Sequence, residues 1–99
     1  MPHASWPFEQ PPDTQVITLR SIILRGNPIL RVTHDLDDGW QFLSLNNADA
    51  SDAAIVRLGD ILARDISIVP LASLPPGWHA YRTSPDTPWT TEPDPQAHD

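Results

Sequence analysis

The stretch Asp35-Leu36-Asp37-Asp38-Gly39-Trp40-Gln41-Phe42-Leu43-Ser44-Leu45 decides how the chain is read, because an acidic turn runs straight into a strand with two large aromatics. Asp-Gly is turn chemistry, and the period of two that follows sends Trp40, Phe42 and Ser44 to one side of a sheet, with Gln41, Leu43 and Leu45 on the other. Trp40 and Phe42 are the expected centre of the core. Upstream, Ile29 to His34 alternates Leu30, Val32 and His34 against Ile29, Arg31 and Thr33, a strand that the acidic turn joins to the next. Before it, Gln15 to Leu24 carries Val16, Ile17, Leu19, Ile22, Ile23 and Leu24, too apolar on both faces for an edge strand. Gly26-Asn27 then reads as a hairpin turn, with Pro28 at the entry of the following strand, so the three strands form an antiparallel meander.

Downstream, residues 46–52 read as a loop that ends in helix-start chemistry at Ser51 or Asp52. Ile55, Leu58, Ile61 and Leu62 then share one helical face, while Arg57, Asp60 and Arg64 lie opposite, with Asp60 and Arg64 spaced to pair at i, i+4. Gly59 inside that helix costs about 1 kcal/mol relative to Ala, and a close approach to another backbone is the usual compensation. Asp65 to Leu74 reads as a second, short helix capped by Asp65 or Ser67, with Pro70 in the first turn and Pro75-Pro76-Gly77 as the stop. A last strand, Trp78 to Thr83, places Trp78, Ala80 and Arg82 on one face and His79, Tyr81 and Thr83 on the other. The expected fold class is α+β: an antiparallel sheet of about four strands (meander, helix, short helix, final strand) with the helices on one face.

Residues 15–84 are the expected single domain. Residues 1–14 hold Pro2, Pro7, Pro11 and Pro12 among polar residues and read as a flexible arm; residues 85–99, rich in Pro and Asp, read as a flexible tail. Trp6 and Phe8 are out of place in such an arm. They are expected to fold back over an exposed edge or to contribute to a partner-binding surface, and Trp89 is the one anchor offered by the tail.

Thirteen Asp and Glu against six Arg, with no Lys, give a net charge of −7 with histidines neutral, which disfavours nucleic acid and favours basic partners. Cysteine is absent, so disulfides, thiolate chemistry and cysteine-held metals are excluded. No apolar stretch reaches the roughly 18 residues of a membrane span, and Met1-Pro2-His3-Ala4-Ser5 lacks a basic segment followed by an apolar run, so a cytoplasmic monomer or small homo-oligomer is expected. Asp35-x-Asp37-Asp38-Gly39 suggests a calcium loop, but counting from Asp35 puts Gly39 at the fifth position where such loops need it at the sixth, and Asn46 where they need Glu. His34 and His79, both on expected strands, could approach each other near Asp35, yet their spacing carries no metal signature. The serines lack a nucleophile-elbow pattern, and no Gly-rich loop cradles phosphate. Neither a metal nor a cofactor is expected. Arg20 and Arg31 are expected on consecutive strands, either as cross-strand neighbours or on a solvent face with Arg82.

Taken in order, Asp38-Gly39-Trp40-x-Phe42-x-Ser44, then Ile55-Val56-x-Leu58-x-x-Ile61, then Asp65-x-Ser67-Ile68-x-Pro70-Leu71, then Leu74 ahead of Pro76-Gly77, resemble the bacterial family known as immunity protein 33 across residues 16–83. After Ser44 this chain has Leu45-Asn46-Asn47 where family members continue with a glycine and acidic residues. The resemblance implies a single-domain α+β protein, without enzymatic activity, that neutralises a toxin by binding it. Combined with the charge, it points to a basic toxin as partner and to Asp35, Asp37 and Asp38 as the contact. The alternatives are a structural or regulatory interaction protein with no toxin context and, third, an enzyme using His34, Asp35 and His79.

Overall fold

The computed structural model describes residues 6–44 and 50–95. Six strands, β1 (Gln15–Leu19), β2 (Arg31–His34), β3 (Trp40–Leu43), β4 (Ala53–Arg57), β5 (Trp78–Tyr81) and β6 (Thr90–Pro93), form one sheet in the order β4-β1-β3-β2-β5-β6. Two short helices, α1 (Arg20–Arg25) and α2 (Leu58–Arg64), a single 3-10 turn at Ala50–Asp52 and a longer 3-10 helix, Ile66–Ser73, complete the α+β fold. The sheet is mixed: β1 and β3 run parallel, and every other neighbouring pair is antiparallel.

The hairpin of β2 and β3 forms as its sequence predicts, with His34 opposite Trp40 and Val32 opposite Phe42. Trp40 and Phe42 are both in the core, at 2% and 0% exposure. An antiparallel sheet of about four strands that opens with a three-stranded meander is not what the chain builds, and three misassigned runs, the third being residues 90–93, account for the difference. The apolar run from Gln15 divides at Arg20, where β1 gives way to α1. Gly26 is therefore a helix cap and not a hairpin turn: its φ of 72° is left-handed, and its N–H donates to Ser21 O. Because α1 carries the chain away from β1, β3 rather than β2 becomes the neighbour of β1. Leu24, placed in a buried strand by its hydrophobicity, is exposed on α1.

The second run is Ala53 to Arg57. It is a strand, not the first turns of a helix, because Ile55 and Val56 are β-branched and pair with Ile17 and Val16 of β1. The helix begins only at Leu58, whose burial with Ile61 keeps the apolar face that the periodicity indicates, while Ile55 is left outside. The Asp60 carboxylate accepts from Arg57 N at 3.4 Å, and no ion pair joins it to Arg64 among the described residues. Asp52, an expected helix cap, accepts instead from Ser21 N at 3.4 Å. The expected loop residues 46–49, and residues 1–5 and 96–99 of the flanks, lie outside the described residues.

Asp65 caps the 3-10 helix, accepting from Ser67 N at 3.0 Å. Pro70 stands inside that helix, beyond its first turn, and supplies no N–H to the carbonyl three residues before it. That carbonyl, Ser67 O, accepts from the Trp89 indole at 3.0 Å. Both Pro-rich flanks thus enter the fold beyond the expected 15–84 boundaries. Phe8 is in the core at 5% exposure, and Trp6 and Trp89 pack against it. Thr14 O and Pro12 O accept from Leu58 N and Gly59 N, each at 2.8 Å. A Cβ added at Gly59 would lie 3.2 Å from Pro12 O, the close backbone approach expected of a glycine there. At the other end, residues 90–93 are not tail but the outermost strand, paired with β5.

Candidate functional site

The acidic turn closes the β2–β3 hairpin and is fixed by its own backbone. Asp38 N donates to Asp35 O at 2.9 Å and Asp35 N to Gly39 O at 2.8 Å. Asp38, rather than the glycine after it, takes the left-handed conformation, with φ 75°, which short polar side chains tolerate best. Each of the three carboxylates also holds the turn: Asp35 Oδ2 accepts from the Gln41 amide at 3.2 Å, Asp37 Oδ1 from Gly39 N at 3.3 Å, and Asp38 from two groups beneath it. Asp37 and Asp38 are exposed and Asp35 is half-buried, so the turn presents negative charge from a braced support.

That support is built from the N-terminal flank and a buried histidine. The Gln10 amide donates to both Asp38 oxygens at 3.0 Å, while its oxygen accepts from the Trp40 indole at 3.2 Å. Trp6 in turn donates its indole N–H to Gln10 O at 2.7 Å. His34 Nε2 donates to Asp38 Oδ1 at 2.7 Å and Nδ1 to Leu74 O at 2.6 Å, and the imidazole stacks on Trp40 with ring centres 3.9 Å apart. Phe8 meets the far side of the aromatic row, edge-on to Trp40 at 5.2 Å. The Gln10 hydrogen bonds first, and the His34 hydrogen bond and charge after them, hold the Asp38 carboxyl below the usual carboxylate range, outweighing a desolvation that acts the other way.

His34 and His79 do not come together. His34 faces Trp40 and Trp78 across its neighbours, whereas His79 lies opposite Thr33, one residue out of phase and so on the other face of the sheet. His79 Nδ1 donates to the Asp94 carboxylate, and its Nε2 lies 3.5 Å from Glu92. Each histidine therefore aims both ring nitrogens at carbonyl or carboxylate oxygens of the protein itself. Beside His34 a hollow of ≈ 140 Å³, lined among others by Gln10, Asp38, Leu74 and Pro75, is well under the roughly 300 Å³ at which small-molecule sites begin. No group of three His, Asp or Glu residues among the described residues is placed to hold a metal ion.

The arginines also differ from expectation. Arg20 opens α1 and is no cross-strand neighbour of Arg31, because β1 and β2 are not adjacent. Arg82, expected on a solvent face, is only 3% exposed. Its Nε and Nη2 donate to Ile29 O at 3.1 and 2.9 Å, Nη2 to Asp65 Oδ2 at 3.0 Å and Nη1 to Ser67 Oγ at 2.9 Å, with Trp89 stacked 4.1 Å from its guanidinium carbon. This buried clamp ties the 3-10 helix, the approach to β2 and the C-terminal flank together. The alternation of Trp78, Ala80 and Arg82 was the signal for its inward direction; what pattern alone did not supply was the partner, Asp65, seventeen residues away.

Set against family models, curated proteins and solved structures, the chain matches none.

Proposed function

We propose that this chain is a non-enzymatic protein-binding module of the immunity type, which neutralises a bacterial toxin in the cytoplasm by covering a basic surface with its acidic turn. The observation that carries the reading is the bracing of Asp35, Asp37 and Asp38. Three carboxylates within four residues repel one another, and here Gln10 and His34 hold Asp38, Gln41 holds Asp35 and the Gly39 N–H holds Asp37 on a hairpin tip. A surface held in place before binding loses little freedom on association, which is how a small acidic patch gains affinity for a basic partner. The net charge of −7 acts in the same direction at longer range and works against nucleic acid as partner. The resemblance to the immunity protein 33 family supplies the toxin context.

The test is capture from native cells on immobilised wild-type protein and on the Asp35→Asn, Asp37→Asn double variant, with mass-spectrometric identification. Asparagine keeps an acceptor oxygen for Gln41 and Gly39 while removing the charge. A basic protein held by the wild type and depleted on the variant is the expected result; a captured set indifferent to the double substitution, or without a basic protein, contradicts the reading.

A further inference from the structure

We infer that the free edge of β4 is a self-association strand, which pairs antiparallel with β4 of a second copy about a two-fold axis through Ile55. The inference does not use the acidic turn, which closes the β2–β3 hairpin, a pair that does not include β4.

β4 is the outer strand of the sheet and is paired only with β1, so apart from Arg57 N, which donates to Asp60 Oδ2, its far side carries backbone donors and acceptors that no described residue pairs. Proteins protect such edges with proline, charge or a covering element, because an unpaired edge is a template for another strand. The opposite edge shows this protection. β6 is four residues long, contains Glu92 and Pro93, and is followed by Asp94 and Pro95. β4 reads Ala53-Ala54-Ile55-Val56-Arg57, with no proline, no acid and a single charge at its end.

The side chains on that edge are apolar where a partner strand would lie. Ile55 is 68% exposed and sits beside Ile17, itself 41% exposed, in direct cross-strand register. With Ala53, Ala54 and Arg20 they line an open groove of ≈ 550 Å³. A second copy fits this edge because the strand is complementary to itself. Centred on Ile55, antiparallel pairing sets Ile55 against Ile55 of the other copy, Ala54 against Val56 and Ala53 against Arg57, so each large side chain off the axis meets an alanine. Shifting the centre two positions to Arg57 instead brings two arginines face to face, a pairing that sheets disfavour. The Ile55-centred register runs an apolar row Ile17, Ile55, Ile55, Ile17 across four strands and joins two six-stranded sheets into one. A closed two-fold contact of this kind leaves no further edge of the same type exposed.

Sedimentation equilibrium of the full chain from micromolar to millimolar concentration tests the inference. A reversible monomer–dimer equilibrium is expected, strengthened by added salt, because salt screens the repulsion between two copies of charge −7. Ile55→Lys should weaken the dimer by at least about tenfold, with circular dichroism and melting temperature unchanged. Ile66→Lys, which adds the same charge at an equally exposed isoleucine away from this edge, should leave the dimer intact. A chain that stays monomeric throughout overturns the inference, as does a dimer that Ile55→Lys does not weaken. Recovery of a different protein in place of a second copy, lost on Ile55→Lys, would also overturn it.

Discussion

The two halves of the sheet are held together in different ways. Around β3, β2 and β5, groups from distant segments converge: Trp6, Phe8 and Gln10 from the N-terminal flank, Asp65 and the Leu74 carbonyl from the two caps of the 3-10 helix, Trp89 and Asp94 from the C-terminal flank. Each buried charge or ring nitrogen there has a named partner. The β4–β1 half relies on one antiparallel ladder, the backbone contacts of Pro12 and Thr14, and the apolar faces of α1 and α2. Side chains of the Pro-rich flanks thus cross-link one half of a domain too small to be held by its core alone, while the other half takes from the N-terminal flank the backbone contacts of Pro12 and Thr14.

Substitutions in the dense half should be the most damaging. Phe42→Ala removes a fully buried ring at the centre of the sheet and should cost about 3–5 kcal/mol in a denaturant titration. A loss under about 1 kcal/mol would show that the core is not centred on this strand. Arg82→Ala should cost about 3 kcal/mol, since it strips the partner from Asp65, leaves Ile29 O without its donors and exposes Trp89. A cost at the level of a surface charge would mean that the clamp is not formed. Phe8→Ala sharpens the comparison, because a flank that only drapes over the surface would tolerate it. Packing of Phe8 in the core predicts a cost of about 2–3 kcal/mol, together with protection of residues 6–14 from limited proteolysis; cleavage there in the native protein would contradict that packing.

The smallest of these effects is electrostatic and its sign is set by Asp38. Its carboxyl titrates lower in the fold than in the unfolded chain, so in the intervening range the unfolded chain binds more protons. The stabilisation is fully present above the ordinary carboxylate range near pH 4 and is lost as pH falls through the lowered folded value. In Asp38→Asn this contribution is gone while the left-handed position remains easy to occupy. Melting temperatures of the two proteins should therefore converge as pH is taken from neutral into that acid range; a gap that stays constant would mean the Gln10 and His34 contacts do not form.

What was legible in the sequence was what period and local chemistry dictate. The alternation in 29–34 and 40–43 gave the hairpin and its buried aromatics, Asp65 announced its cap, and Gly59 its close approach to a neighbouring backbone. What pattern could not separate were short apolar runs whose state depends on who pairs with them. Gln15 to Leu24 is equally apolar as strand or helix, and the Gly26 and Pro28 that follow it serve as a helix stop as readily as a turn. Ile55 fits the helical face of Leu58 and Leu62 by spacing, and only pairing with β1 turns that stretch into a strand. The flanks misled for another reason: proline content marks segments that avoid regular structure, not segments that avoid packing. At the candidate site the acidic triplet could be read directly, while the support from Gln10 and His34 depends on contacts that no local spacing encodes.

The association rate of the captured basic partner with wild type and with Asp35→Asn, Asp37→Asn, followed across ionic strength, decides whether the acidic turn steers binding. Charge steering through the turn predicts a wild-type rate that falls as salt shortens the Debye length from about 30 Å at 0.01 M to about 10 Å at 0.1 M. It also predicts a double variant slower at low salt by roughly three- to tenfold, with an unchanged melting temperature. A rate indifferent both to salt and to the two substitutions would contradict it.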